Sequence, residues 1–220
     1  MRHRRRLLCI LADGVGACAP AAWAAPPQQS GHVDLATQPA DITFTGGTNR
    51  EGHSVARAGD VNGDGIDDML IGAPDNSPTT YVVYGSASPT DLAFPAFAPA
   101  RGIRLTGAAN GSVVAGVGDV NDDGIDDIAT ASPGGGPAYV VYGSKNPVDV
   151  NLAALTAAQG FRIIPSSTWD KLGDGTSVAG AGDVNDDGIA DIVVGTPGAG
   201  VMGGTDEGGA YVIYGSAAPA

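Results

Sequence analysis

A segment of 23 residues occurs three times along this chain of 220 residues, and it constrains the fold more than any other feature. The copies run from Gly52 to Pro74, from Gly111 to Pro133 and from Gly175 to Pro197. Each copy contains a loop of the form Asp-x-Asn-x-Asp-Gly-Ile-x-Asp, and a Tyr-Val-(Val/Ile)-Tyr-Gly-Ser segment follows each copy. Features that recur in a fixed order predict one structural unit per copy, with neighbouring units packed against each other.

The units are predicted to consist of short β-strands. One strand precedes each loop, one follows it (Asp68–Ile71 in the first copy), and the tyrosine segment forms a third. A further strand-like piece lies ahead of each copy, at Ile42–Thr45, Ile103–Thr106 and Phe161–Ile164. The 35 glycines and 15 prolines place turns between these strands. One short helix is predicted over Asn151–Gln159. About four short strands per repeat of 40–65 residues predict an all-β protein built of β-propeller blades.

The first 24 residues predict a signal peptide. Arginines 2, 4, 5 and 6 precede a mostly apolar stretch, and Ala22-Trp23-Ala24 fits the rule for cleavage between small residues. We therefore expect an exported protein, whether secreted, periplasmic or on the cell surface. Both cysteines, Cys9 and Cys18, lie in this segment, so a disulfide cannot stabilise the remainder. Residues 25–40 are predicted to be a linker, and residues 41–220 the propeller segment, with repeat cores at 52–86, 111–144 and 175–216.

The acidic charge is concentrated in the three loops. Without residues 1–24 the chain has seven basic and 23 acidic residues, and 13 of those 23 acids lie within the loops. This distribution indicates cation sites rather than a diffusely charged surface. Nucleic acid is not expected as a partner, because the chain has no basic stripe. A transmembrane helix is not expected either, because no run of 18 apolar residues occurs.

The loops are predicted to bind Ca²⁺, about three ions with one per loop. Oxygen donors at loop positions 1, 3, 5 and 9, with the backbone carbonyl of position 7, can surround a hard ion, and the glycine at position 6 allows a sharp bend. An EF-hand is excluded because position 12 holds no glutamate. Magnesium ranks second, and transition metals are disfavoured because no histidine or cysteine stands among the donors. The predicted ligands are Asp60, Asn62, Asp64, Ile66 and Asp68; Asp119, Asn121, Asp123, Ile125 and Asp127; and Asp183, Asn185, Asp187, Ile189 and Asp191.

These residues resemble those of FG-GAP repeats, the blades of the integrin α-subunit propeller and of many exported bacterial proteins. The resemblance rests on the three aspartate loops and on the segments Ile71–Pro74 and Val194–Pro197, and it covers residues 41–220. The second copy departs from the pattern, with Thr130-Ala131-Ser132-Pro133 at the same place. The resemblance implies a β-propeller that serves adhesion or ligand recognition, with an unidentified protein or glycan as the partner.

No active site is predicted, because the loop pattern already accounts for the clustered carboxylates and no zinc, nucleotide or nucleophile-elbow motif occurs. The exposed aromatic residues Trp169 or Phe97 could anchor a partner. The alternative function is that of an accessory propeller in a secreted hydrolase or phospholipase system. In either case calcium is expected to act structurally, by joining the strands on either side of each loop.

Three units are too few for a closed ring, since propellers have four to eight blades and the integrin-like ring has seven. Residues 42–45 are predicted to be an unpaired fourth strand ahead of the first copy. Two explanations remain open: the chain is a piece of a longer product, or two chains associate into a ring of six blades.

Overall fold

The computed structural model describes residues 42–95, 97–131, 136–164, 178–196 and 208–217. The predicted signal peptide and linker lie outside these residues, and so does Trp169. All described residues belong to one compact unit, Ile42–Ala220. They form 14 β-strands and two 3₁₀ turns, without an α-helix among them. In the described part of the chain, no helix is long and apolar enough to cross a membrane.

The first repeat folds into a four-stranded antiparallel blade, which we call blade 1. Its strand order is β2-β3-β4-β6, and its aspartate loop connects the first of these strands to the second. The outer strand β6 precedes the second repeat in sequence, yet it pairs with β4 and therefore completes the first blade. The strands are β2 (Ser54–Gly59), β3 (Asp68–Ala73), β4 (Thr79–Val83) and β6 (Gly102–Thr106).

Blades 2 and 3 repeat this arrangement. In blade 2 the order is β7-β8-β9-β11, whereas blade 3 consists of β12-β13-β14 in the described residues. The all-β blades predicted from the sequence are thus confirmed. Their strands are β7 (Val113–Gly118), β8 (Asp127–Ala131), β9 (Ala138–Val141), β11 (Gly160–Ile163), β12 (Val178–Gly182), β13 (Asp191–Thr196) and β14 (Gly209–Ile213).

Three two-residue strands lie beside the outer strands. The strand β1 (Phe44–Thr45) pairs in parallel with β5 (Leu92–Ala93), and β10 (Val150–Asn151) pairs in parallel with the outer strand β6. The pairing of β1 with β5 therefore matches that of β6 with β10. A strand is therefore present within the predicted segment 42–45, but it consists of Phe44–Thr45 and pairs with β5, so the prediction of an unpaired strand is wrong.

The helix predicted over Asn151–Gln159 is wrong, because this stretch contains only a 3₁₀ turn at Leu152–Ala154. The side chain of Asn151 accepts a hydrogen bond from the Ala153 amide, and Leu155 is already extended. The Asn151 bond caps the start of this turn. The turn ends because the backbone leaves the helical region at Leu155 (ψ 124°), and strand pairing on both sides, at Val150–Asn151 and from Gly160, leaves no room for a longer helix. The other 3₁₀ turn is Pro99–Arg101.

The core consists of three apolar clusters, two of which lie between consecutive blades. Leu70 and Val82 of blade 1 pack with Val114 of blade 2, and Val140 of blade 2 packs with Val178 of blade 3. A repeat unit that buries its faces only against its neighbours requires such contacts. The third cluster covers the remaining face of blade 1. There Phe97 packs against Tyr81 and Phe94, with ring centroids 5.9 Å from each, so Phe97 does not project to anchor a partner.

Candidate metal centre

Each aspartate loop joins the innermost strand of its blade to the second strand, and its side chains bind the backbone of the loop itself. The carboxylate of Asp60 accepts hydrogen bonds from the amides of Asp64 (3.0 Å) and Gly65 (2.7 Å). The side-chain oxygen of Asn62 accepts from Asp64, and that of Asp64 accepts from Ile66. Loops 2 and 3 repeat all four bonds. The spacing of donors and acceptors therefore fixes one loop conformation three times.

The ninth loop residue lies deeper than the others. Asp68, Asp127 and Asp191 have no exposed surface. In loop 1 the two oxygens of Asp68 accept hydrogen bonds from the amides of Val61 (3.1 Å) and Gly85 (2.8 Å). Gly85 follows β4, so this carboxylate connects the loop to the end of the third strand. The equivalent bonds in the other loops are 2.8 to 2.9 Å long.

Burial of these carboxylates makes their negative charge costly. The pKa of Asp68 is raised to about 6 and that of Asp127 to about 7, mainly by burial. Neighbouring loop aspartates act in the same direction, and hydrogen bonds from backbone amides act against it. The three ion pairs among the described residues involve none of the predicted ligands. Arg57 pairs with Asp67 at position 8 of loop 1, but among the described residues no basic side chain pairs with a carboxylate at positions 1, 5 or 9 of any loop.

The isoleucine at loop position 7 packs against the glycine of the Tyr-Gly-Ser segment. A Cβ atom built on Gly85 would lie 2.5 Å from Cγ2 of Ile66. A Cβ atom built on Gly143 would lie at the same distance from Cγ2 of Ile125, and one built on Gly215 from Cγ2 of Ile189. Only glycine leaves room for this contact. This contact is most deeply buried in loop 2, where Ile125 is buried, whereas Ile66 is 37% exposed.

The donors of each loop fit a calcium ion in type. They are carboxylate and amide oxygens within nine residues, and hard cations such as Ca²⁺ prefer such ligands. The described residues contain no group of three or more His, Cys, Asp or Glu side chains that could hold a metal ion. In this structure the carboxylates are arranged around backbone amides rather than around one common point. The structure therefore places the predicted ligands in the same small loop, and metal binding at these residues remains a prediction.

Loop contacts between blades are the feature that the sequence did not indicate. Asp126, at loop position 8, accepts a hydrogen bond from the Asp60 amide (2.8 Å) and donates its own amide to the Asp60 carbonyl (3.2 Å). The Ser144 amide donates to the carbonyl of Val61 (2.9 Å). Equivalent backbone bonds from Ala190 and Ser216 reach loop 2 from blade 3. Because Asp60 and Asp126 are 66 residues apart, no local pattern reveals this contact.

Comparison with known proteins agrees with the repeats and the loops. The family model described as FG-GAP repeat matches residues 52–87 and 175–213. Integrin alpha-IIb of Mus musculus is 36% identical over 164 residues, which is 67% of this chain and 15% of that protein. Integrin alpha pat-2 of Caenorhabditis elegans is 34% identical over 183 residues, or 75% of this chain and 14% of that protein.

The fold and the loops define a protein of FG-GAP repeats arranged as propeller blades. The chain is an integrin-α-like FG-GAP repeat protein, as its sequence indicated. It spans about 15% of the length of the curated relatives cited above.

Proposed function

We propose that this chain is an exported, non-catalytic calcium-binding module that recognises a protein or glycan ligand in adhesion. The observation that carries the calcium assignment is the threefold repetition of one oxygen-rich loop with a buried ninth carboxylate. Clustered carboxylates repel one another unless a cation balances them. Three loops that share the same proposed ligands, none of which has a basic partner among the described residues, therefore support one calcium ion per loop.

The proposed ligands are the residues at positions 1, 3, 5 and 9 of each loop, with the carbonyl at position 7. A bound ion would supply positive charge at the junction of the two inner strands. The carboxylate of Asp127 already connects its loop to the end of β9, and Asp60 already contacts blade 2. Calcium at these positions would thus stabilise both a blade and its contact with the next blade.

The adhesion role is supported by similarity to integrin α subunits, and the exported location by the predicted signal peptide. The proposal of a non-catalytic module rests on the loop acids, whose oxygens are engaged by backbone amides in the same way in all three repeats.

Removal of calcium is expected to lower the melting temperature. A ligand at a hundredfold excess over its Kd stabilises the folded state by about 2.7 kcal/mol per site. For a domain of this size, each such site that is lost lowers Tm by on the order of 5 to 10 °C, and excess chelator empties all three proposed sites. Thermal melts in excess chelator, and after calcium is restored, measure this difference. A melting curve that is identical in chelator and in calcium would contradict calcium binding.

Two substitutions with the same charge change in loop 2 provide a matched control. In a calorimetric calcium titration, Asp119→Asn should remove one site, because it alters the first proposed ligand. Asp122→Asn should leave the number of sites unchanged, since residue 122 is not a proposed ligand. Asparagine also tolerates the positive φ of 59° at that position. Equal stoichiometry in both variants would show that the ion does not use the proposed ligands.

Recognition is tested separately, by binding of the purified chain to panels of immobilised extracellular proteins and glycans. We expect retention on at least one surface in calcium and loss of retention in chelator, because the loops hold the blades in register. Absence of calcium-dependent retention on every surface, in a chain that binds calcium, would refute the recognition role and leave the calcium assignment intact.

A further inference from the structure

Consecutive blades come into close backbone contact at one glycine of the inner strand. A Cβ atom on Gly116 in β7 would lie 2.5 Å from the carbonyl oxygen of Arg57 and 2.9 Å from that of Ala58 in β2. A Cβ atom on Gly180 in β12 would lie 3.0 Å from the carbonyl oxygen of Gly116. Both glycines stand three residues before the first aspartate of their loop. In these two junctions, the following blade therefore presents no side chain at this position.

Blade 1 has an arginine at the equivalent position. The guanidinium of Arg57 donates two hydrogen bonds to the carboxylate of Asp67, at 3.0 and 2.8 Å, and its side chain is 73% exposed. Asp67 occupies loop position 8, where Asp126 reaches back to the preceding loop. In blade 3 this position holds Ala190, which lies against Gly118 of blade 2. The two positions that contact the preceding blade in blades 2 and 3 therefore hold Arg57 and Asp67 in blade 1, where they form an ion pair on the surface of that blade.

The opposite end of the stack, the outward face of blade 3, exposes the residues that the other blades bury. Val184 is 52% exposed, whereas its equivalents Val61 and Val120 are 3% and 4% exposed. Val212 is 49% exposed, and its equivalents Val82 and Val140 are fully buried. In blades 1 and 2 the next blade lies against these residues. Among the described residues, no amide donates to the carbonyls of Asp183 and Val184, whose equivalents bind the next blade.

We propose that this face of blade 3 accepts a further blade and that blade 1 of a second copy does not fit it. Its occupant is an FG-GAP-type blade that carries glycine at the position of Arg57. Blade 1 of a second copy does not fit there, because a carbonyl group of β12 would meet the Cβ atom of Arg57. Docking would also break the ion pair with Asp67 and remove the guanidinium from water. The ring of two copies considered from the sequence is therefore blocked by these two residues.

The test uses the full chain and its assembly state, measured by sedimentation velocity over a wide concentration range. The wild-type chain should be monomeric. The variant Arg57→Gly/Asp67→Ala gives blade 1 the same pair that Gly180 and Ala190 provide in blade 3. It should associate head to tail, with a mass that increases with concentration. Addition of Val212→Asp to this variant should restore the monomer, because the charge lies on the face that receives the next blade.

A mixing experiment limits the assembly to two chains. The triple variant Arg57→Gly/Asp67→Ala/Val212→Asp has an open blade 1 and a blocked blade 3, whereas the wild-type chain has the reverse. Neither should associate alone, and together they should form a 1:1 complex. Arg57→Ala/Asp67→Ala removes the ion pair but keeps a Cβ atom at position 57, so it should stay monomeric as the matched control, and circular dichroism verifies the fold of each variant.

Two results would overturn the proposal. One is a wild-type chain that associates through the face containing Val212, since Arg57 would then not block docking. The other is a folded Arg57→Gly/Asp67→Ala variant that remains monomeric and does not bind the wild-type chain, since the glycine position would then not decide the fit.

Discussion

Asp127→Ala is expected to lower the free energy of unfolding by about 3 kcal/mol in calcium-free buffer. The substitution leaves two amides, of Val120 and Gly143, without the acceptor that they have in a site with no solvent exposure. Each unsatisfied buried donor costs about 1–3 kcal/mol, and relief of a buried carboxylate offsets part of this cost. For a domain of this size the expected decrease in Tm is about 10 °C. Thermal and urea melts in chelator measure the effect without any contribution from calcium.

The matched control is Asp122→Gly in the same loop. Residue 122 is exposed and has a φ of 59°, and the first loop has Gly63 at this position, with a φ of 70°. Glycine adopts a positive φ without steric cost, so we expect unchanged or slightly higher stability. If both variants unfold at the same urea concentration, loss of negative charge, and not loss of the buried acceptor, determines the effect.

Thr130→Val is expected to cost about 2 kcal/mol, although the two side chains have nearly the same shape. The hydroxyl of Thr130 lies 2.8 Å from that of Thr80 and accepts a hydrogen bond from the Gly111 amide (3.0 Å). Thr80 in turn donates to Asn110 (2.9 Å), and all three side chains are fully buried. Valine has no hydroxyl, so the Gly111 amide loses its acceptor and the Thr80 hydroxyl loses its partner at position 130. Urea denaturation, with the slope compared between variants, provides the measurement.

Thr130→Ser is the control for this prediction, because it keeps the hydroxyl and removes only a methyl group. We expect it to cost about 1 kcal/mol, the value for a small buried apolar group. A serine variant less stable than the valine variant would show that packing, rather than the hydrogen bonds between blades 1 and 2, determines stability at this position.

Strand positions could be predicted from the sequence because each repeat supplies the same local signals. The strand after each loop and the tyrosine strand appear where the apolar segments lie, and the loops follow the Asp-x-Asn-x-Asp-Gly pattern. The helix predicted at Asn151–Gln159 is wrong because Asn151 pairs with β6 and the backbone leaves the helical region at Leu155, so only one capped turn forms between two strands. Nor did the sequence show which blade the strand Gly102–Thr106 completes. A strand between two repeats can pair with either one, and only its bonds to β4 assign it to blade 1.

The sequence alone determined the local conformation of the three loops, since the hydrogen bonds that form each turn join residues two to seven positions apart and follow from local turn geometry. The tertiary structure alone decided how the blades contact each other. Thr80 and Thr130 are 50 residues apart, and the other repeats have apolar residues at both equivalent positions. At the next junction the equivalent positions are Ala138 and Val194, which pack together in one apolar cluster. Such pairs become visible only when packing brings distant strands together, because their complementarity is a property of two surfaces and not of one segment.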